Sequence, residues 1–304
     1  MRSPYRAFKT DLIEQISYWP ALASLMVQQQ THGRVPARPV AEKTVISLTS
    51  FPARLGKLHN CIRSLLSQNV QSAKIVLYLT QEECAHIQLP RKLAALQDIG
   101  LEIRFADINL RSLNKIFHAL HDFPKHTIVT CDDDKIYPAG WLEGLLRAQS
   151  KYPRHIICNR SRLIQFDDNG GLQPYRLWPP GNEQSPSMSL LPLGVGGVLY
   201  PAAALDKTVL DTKLYKKLCP TSDDLWLKVM AMLKGTKTVQ VPGTNGVYPS
   251  IPFWNGPKLS PENIWNDGNN IALNGLMQHF NLSEADFTRV EANGVAATSN
   301  RDTS

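Results

Sequence analysis

The chain has 304 residues, 43% of them apolar and 19% charged, a globular composition with room for one large α/β domain or two small ones. Its net charge of +7 suits an anionic partner, although surface solubility explains it equally well; no Lys/Arg block is long enough for a nucleic-acid arm and no RNA-binding signature occurs. Five widely spaced cysteines without a C-x-x-C argue against a disulfide framework and a structural zinc site, and for a reducing compartment.

Residues 1–30 place Phe8, Leu12, Ile16, Trp19, Leu22, Leu25 and Met26 near helical spacing, with Arg2, Arg6 and Lys9 at the start and Pro20 as a break or kink. Packing of this helix on the protein's own core is the expectation, and an interfacial membrane helix the alternative. Asp11 and Glu14 interrupt any signal-peptide pattern, and no run approaches the roughly 18 apolar residues of a membrane span. The expected location is the cytoplasm, with peripheral contact at the inner face of the cytoplasmic membrane as an option. Gly33, Pro36 and Pro39 mark a linker.

Residues 44–49 form the first predicted strand, followed by a polar loop over 50–54 and a helix carrying Leu58, Ile62, Leu65 and Leu66. Strands follow at 74–80 and 101–106, the first leading into a helix from 82 to 96 interrupted at Pro90. A helix over 113–120 then leads to a fourth strand over 128–131. Strands and helices alternating at this spacing predict βαβ units and a largely parallel sheet. Ligands of such sheets bind beyond the carboxyl ends of the strands, at the switch point. The 50–54 loop, Thr80, Asp107 and the run Asp132, Asp133, Asp134 all fall at such ends.

That acidic run follows Ile128 to Cys131, a short β-branched stretch with the composition of a strand buried on both faces. Alternate strand residues share a face, so Asp132 and Asp134 can point one way while Asp133 turns back. Two hard oxygen ligands with open coordination positions suit Mg²⁺ or Mn²⁺ carrying substrate phosphates. A solvated acidic turn is the plain alternative.

Further on, a helix covers 141–150 and a short strand 156–158, followed by Arg160 and Arg162. Residues 167–189 are rich in Asp, Asn, Gly, Pro and Ser and contain Trp178; a loop of this length is usually a lid or a binding loop. The glycine-rich stretch 193–201 lacks the spacing of a dinucleotide fingerprint and fits close backbone approach to a ligand or another segment. Thr221 or Ser222 can cap a helix whose first turn holds Asp223 and Asp224, acids that capping and dipole complementarity alone would explain. A last strand holds Val239 and Val241, and residues 242–270 carry Tyr248, Phe253, Trp254 and Trp265. A final helix is expected over 271–280 and a disordered tail from about Asn293.

Five stretches together resemble nucleotide-sugar-dependent glycosyltransferases of the GT-A fold, and more narrowly the bacterial enzymes of capsule and lipopolysaccharide synthesis. They are Val45-Ile-Ser-Leu-Thr-Ser-Phe-Pro-Ala-Arg54, Lys74-Ile-Val-Leu-Tyr-Leu-Thr80, Thr130-Cys-Asp-Asp-Asp-Lys-Ile-Tyr-Pro138, Gly194-Val-Gly-Gly-Val-Leu-Tyr-Pro201 and Ser222-Asp-Asp-Leu-Trp226. The resemblance covers about residues 43–235 and implies an α/β, Rossmann-like, mostly parallel sheet flanked by helices. The domain reading is a helical extension and linker over 1–40, a glycosyltransferase domain over 41–292 and a tail over 293–304.

By resemblance, Thr49, Phe51, Pro52 and Arg54 hold the nucleoside, Asp107 contacts the base and Lys115 meets the diphosphate, although a lysine on a helix surface is commoner. Asp132 and Asp134 match the metal-binding D-x-D, with Asp132 and Asp133 at the nucleotide sugar and Mn²⁺ or Mg²⁺ as cofactor. Asp223 and Asp224 match the late acidic motif in which inverting enzymes keep their general base, with Asp224 preferred. Trp178, Gly196, Gly197 and Trp254 are expected at the acceptor. No late histidine stands out as a third metal ligand, since His279 lies within a predicted helix. The implied activity is a hexosyltransferase type of reaction in surface polysaccharide synthesis, between a nucleoside-diphosphate sugar and a saccharide acceptor that could be lipid-linked. A sugar nucleotidyltransferase is the first rival, but its glycine-rich basic loop after strand one is replaced here by Thr-Ser-Phe-Pro-Ala-Arg. A non-catalytic scaffold in polysaccharide assembly would leave two separate acid pairs without a role.

Overall fold

The computed structural model describes residues 16–31, 38–181, 185–244, 247–252 and 267–288. Its centre is β1 (Val40–Thr49), which pairs in parallel with β2 (Gln71–Thr80) on one side and with β4 (Thr127–Thr130) on the other. β3 (Leu101–Ala106) extends the sheet in parallel beyond β2. On the far side β8 (Val198–Tyr200) runs antiparallel between β4 and β5 (Ile156–Cys158), and β9 (Thr238–Gln240) closes the sheet parallel to β5. The strand order is β3-β2-β1-β4-β8-β5-β9, with β6 (Ser161–Leu163) and β7 (Leu190–Pro192) forming a separate antiparallel pair. This is the α/β, Rossmann-like, mostly parallel sheet expected from the sequence, and within the seven-stranded sheet β8 runs against its neighbours.

Alternation of side chains sorts the core. Ile46, Leu48, Leu77, Leu79 and Val129 pack in one buried cluster, while Val45, Val76, Tyr78 and Ile128 pack in another. The central strands are therefore covered on both faces, which is why they read as continuous apolar runs. The first cluster is completed by α2 (Leu55–Leu66), whose Leu55, Leu58, Ile62 and Leu65 recur at helical spacing, and by α4 (Trp141–Lys151). The opposite side is covered by α3 (Asn114–Asp122) and by a large cluster around α6 (Asp223–Leu233), with α5 (Thr212–Leu218), α7 (Gly268–Phe280) and α8 (Glu284–Thr288) outside it. Burying each such Val, Ile or Leu stabilises the fold by about 1.5–3 kcal/mol.

Three local expectations change. The helix predicted over 82–96 survives only as single turns, Gln81–Cys84 and Arg91–Ala94, because Pro90 cannot continue the first and starts the second. The glycine-rich stretch contains β8, whose Val198, Leu199 and Tyr200 are buried. Finally, α1 (Tyr18–Thr31) carries Pro20 in its first turn, where a missing N–H costs no helix bond, so the proline does not break it. Tyr18 and Leu25 of α1 are buried, and Asn60 Nδ2 of α2 donates to Tyr18 Oη at 3.0 Å.

Candidate functional site

The strand order reverses between β1 and β4, so the loops leaving their carboxyl ends face each other across one crevice. From β1 comes Ser50 and a 3₁₀ turn, Pro52–Arg54; from β4 come the three acids. Asp133 turns back into the protein: Ser50 Oγ donates to its Oδ2 at 2.6 Å and the Arg54 guanidinium pairs with its Oδ1. Arg54 also lies 3.5 Å from Asp134 Oδ2 and stacks over the Phe51 ring. Burial, reinforced by Asp134, pushes Asp133 up to about 6 despite Arg54 and Ser50. Asp132 and Asp134 keep 30% and 27% of their side chains exposed, against 5% for Asp133. Asp133 and Asp134 lie in a turn after β4 and share Arg54, whereas Asp132 faces Lys115, so the expected strand alternation is replaced by one inward acid, Asp133, and two partly exposed ones. Tyr137 fixes the turn, its hydroxyl accepting the Asp132 N–H at 2.9 Å.

The second acid pair reaches the same crevice from α6. Ser222 occupies the N-cap position without a side-chain cap bond, so Asp223 and Asp224 are the first two helical residues. Asp224 Oδ1 accepts the Gly194 N–H at 3.0 Å and is thereby tied to the loop before β8, not to its own helix. Capping therefore does not account for this acid. Burial, then repulsion from Asp223, raises Asp224 to about 8 against the pull of Lys115 and the Gly194 N–H.

Lys115 connects the two clusters. Its Nζ lies 3.1 Å from Asp132 Oδ1 and 3.1 Å from Asp223 Oδ2, with only 7% of the side chain exposed. Burial opposes its charge, but Asp132, Asp223 and Asp224 outweigh burial and hold its pKa well above the usual lysine value. The alternative of a helix-surface lysine does not hold: Lys115, expected at the diphosphate, is a buried cation between acids from two elements. Ser47 Oγ on β1 donates to the Lys115 carbonyl, fixing the start of α3 beneath the crevice. Gly194 closes the contact, since a Cβ there would sit 2.8 Å from Lys115 Nζ and 3.2 Å from Asp224 Oδ1.

Among the remaining predicted residues, Thr49 donates to the Tyr78 carbonyl at 2.9 Å, and Phe51 and Pro52 line the loop above it. Asp107 is exposed past the end of β3, with β2 between that strand and β1. The acceptor expectations need correction. Trp178 is 1% exposed, with Nε1 donating to the Gln173 carbonyl at 2.9 Å, so it offers no face to a sugar. Gly196 and Gly197 are approached by a segment of the chain itself: Trp141 Nε1 donates to the Gly196 carbonyl at 3.0 Å, and a Cβ on Gly197 would meet the Trp141 ring at 2.5 Å. Gly197 also has φ +88, which favours glycine. Trp254 and Trp265 lie outside the described residues. Ser50, Gly194 and Tyr137 are the site residues not singled out from the sequence, although all three fall inside the motifs quoted above. A cavity of about 500 Å³ opens beyond β4, β5 and β9, lined by Trp141, Arg147, Asn159, Thr244 and Tyr248 among others; Trp141 and Asn159 of this lining both donate to the Gly196 carbonyl.

Asp132 and Asp134 each face a cation, Lys115 at 3.1 Å and Arg54 at 3.5 Å, and each keeps part of its side chain exposed. Mg²⁺ takes one or two carboxylates plus substrate phosphates and waters, and Asp132 and Asp134 are the carboxylates still partly open. Among the described residues no group of three His, Cys, Asp or Glu could form a metal cage by itself.

No family model matches the sequence, and no curated protein matches it. Among solved structures the chain is similar to S. aureus TarS 1-349 at 13% identity, over 66% of this chain and 58% of that one, with a TM-score of 0.43. It is similar to a 4-diphosphocytidyl-2C-methyl-D-erythritol synthase at 8% identity, over 77% and 99%, TM-score 0.41. The protein of that description from Anaerococcus prevotii DSM 20548 matches at 10% identity, over 79% and 99%, TM-score 0.44. Likenesses this distant carry no weight for activity, and the functional reading rests on the site. Among the described residues, no helix is long and apolar enough to cross a membrane.

Proposed function

We propose that the chain is an inverting glycosyltransferase, moving a sugar from a nucleoside-diphosphate donor to a hydroxyl of a saccharide acceptor in surface polysaccharide synthesis. The observation that carries this reading is the convergence of two acid clusters on one switch-point crevice, joined by buried Lys115. A solvated acidic turn would need neither the inward pairing of Asp133 nor the bridge.

In this reading the loop with Thr49, Phe51, Pro52 and Arg54 receives the nucleoside, with Asp107 toward the base. Asp132 and Asp134 would hold Mg²⁺ or Mn²⁺, which would supply positive charge against the charge that develops on the leaving diphosphate. Lys115 and Arg54 add positive charge on the same side and limit repulsion between the acids and the phosphates. Asp224 faces the reaction from α6 and takes the proton of the acceptor hydroxyl. That oxygen bonds to the anomeric carbon from the face opposite the diphosphate, and the bonding pair of the departing C–O bond leaves with the diphosphate. A base held near 8 is matched to such work close to neutral pH. With Trp178 in the core, the cavity beside Trp141 and Tyr248 is the candidate acceptor site.

The experiment is incubation with a panel of nucleoside-diphosphate sugars, Mn²⁺ and a saccharide acceptor. The reading expects slow release of nucleoside diphosphate and a product of inverted anomeric configuration. Pyrophosphate released from a nucleoside triphosphate and a sugar phosphate would replace it with nucleotidyl transfer.

A further inference from the structure

We propose that the outward face of α1 is a docking surface for an anionic lipid bilayer. Residues 16–31 contain no charged side chain. Over residues 16–26 only Ser17 and Ser24 interrupt the apolar and aromatic side chains, and a helix so rich in apolar positions is normally buried on most sides. This one is buried on one side only: Tyr18 and Leu25 are each 5% exposed, whereas Ile16, Trp19 and Met26 are 64%, 61% and 51% exposed. At about 100° per residue, Ile16, Trp19, Ala23 and Met26 fall on a single stripe, and Ala23 is exposed as well. A tryptophan flanked by aliphatic side chains is the chemistry of the headgroup boundary, where an amphipathic ring sits between water and acyl chains.

Charge chooses the occupant. The supporting helix α2 carries Lys57 and Arg63 and no acid. Arg63 and Lys92 both lie close enough to His59, the neighbour of Asn60 in α2, to add to the effect of burial in lowering its pKa. Arg38 donates to the carbonyls of Leu66 and Gln68 at the other end of α2. A second copy of this chain, with its net charge of +7, would bring like charges together at this face. A bilayer rich in anionic lipid reverses that sign and attracts basic residues near its surface. The inference does not depend on the transferase reading, since vesicle binding is measured without a sugar donor.

The test is co-sedimentation of the full chain with phosphatidylglycerol/phosphatidylcholine vesicles and with phosphatidylcholine vesicles alone. The expected result is binding to the anionic vesicles that weakens with added salt. It should fall by at least about tenfold in the combined variant Ile16→Ser, Trp19→Ser, Met26→Ser, as expected for losing the burial of three apolar side chains, while the melting temperature stays unchanged. Should that variant fail to fold, Trp19→Phe serves instead: the blue shift of tryptophan emission that vesicles produce in the parent chain should shrink in it. Absence of binding to anionic vesicles, equal binding by the folded variant, or an undiminished blue shift in Trp19→Phe would overturn the proposal. So would a concentration-dependent dimer that the same substitutions abolish.

Discussion

Asp132, Asp133 and Asp134 follow a strand, whereas Asp223 and Asp224 begin a helix, and the protein treats their charges differently. In the strand-end cluster each carboxylate has a cation within reach. Lys115 holds Asp132 below the usual range against the effect of burial, and Arg54 serves Asp133 and Asp134. In the helix-start pair a single lysine is shared: Lys115 contacts Asp223, while Asp224 has the Gly194 N–H and rises to about 8. The difference lies in the neighbours, since the residue type is the same. Asp132, matched by Lys115, stays charged and suits a metal and a diphosphate, whereas Asp133 shares Arg54 with Asp134 and is pushed up to about 6. An acid pair short of one cation keeps a proton near neutral pH and suits proton transfer.

The largest expected effect breaks the first cluster from inside. Asp133→Ala leaves Arg54 without its main partner in a mostly buried position, and breaking such a pair costs about 3–5 kcal/mol. Chemical denaturation should show this loss, with Asn recovering part of it through Ser50. An unchanged midpoint would mean the inward pairing is not made in solution. Trp178→Ala should cost a similar amount, about 3–5 kcal/mol for a buried tryptophan, while the folded fraction keeps its acceptor KM. A raised KM at unchanged stability would return Trp178 to the acceptor site.

The pH effect is smaller. Asp224 in the folded protein binds its proton more tightly than in the unfolded chain, where the ordinary value is 3.8. Its contribution to stability is therefore full below that value and is lost as pH climbs toward about 8. Asp224→Asn should flatten the fall of melting temperature over this window relative to the parent. The transfer rate should rise with pH across the same range and level off near 8. Identical pH slopes in the parent and in Asp224→Asn would refute the raised value.

Much of this arrangement was legible in the sequence because local pattern encodes it. The apolar runs of β1, β2 and β4 announce strands covered on both faces, and the three acids announce the loop that leaves β4. What local pattern does not encode is which distant segment fills a gap. Gly196 and Gly197 signal close approach, but not that Trp141 of α4 is what approaches. The polar, proline-rich surroundings of Trp178 suggest an open loop, whereas Tyr175 stacks on its ring and Gln173 accepts its N–H. Lys115 is expected at the diphosphate, but local pattern does not show that Asp132 after β4 and Asp223 of α6 stand on either side of it. β8 was hidden because glycines dilute its three buried residues.

The most direct measurement pairs donor binding with the single-turnover rate in Asp134→Asn and Asp224→Asn, using a nucleoside-diphosphate sugar and Mn²⁺. Asp224→Asn should bind the donor as the parent does and transfer it about 10²–10⁴-fold more slowly, the usual worth of a general base. Asp134→Asn should lose the metal-dependent part of donor binding itself. Parent-like turnover in Asp224→Asn, or the same loss of donor binding in both variants, would contradict the division of labour between the two acid clusters.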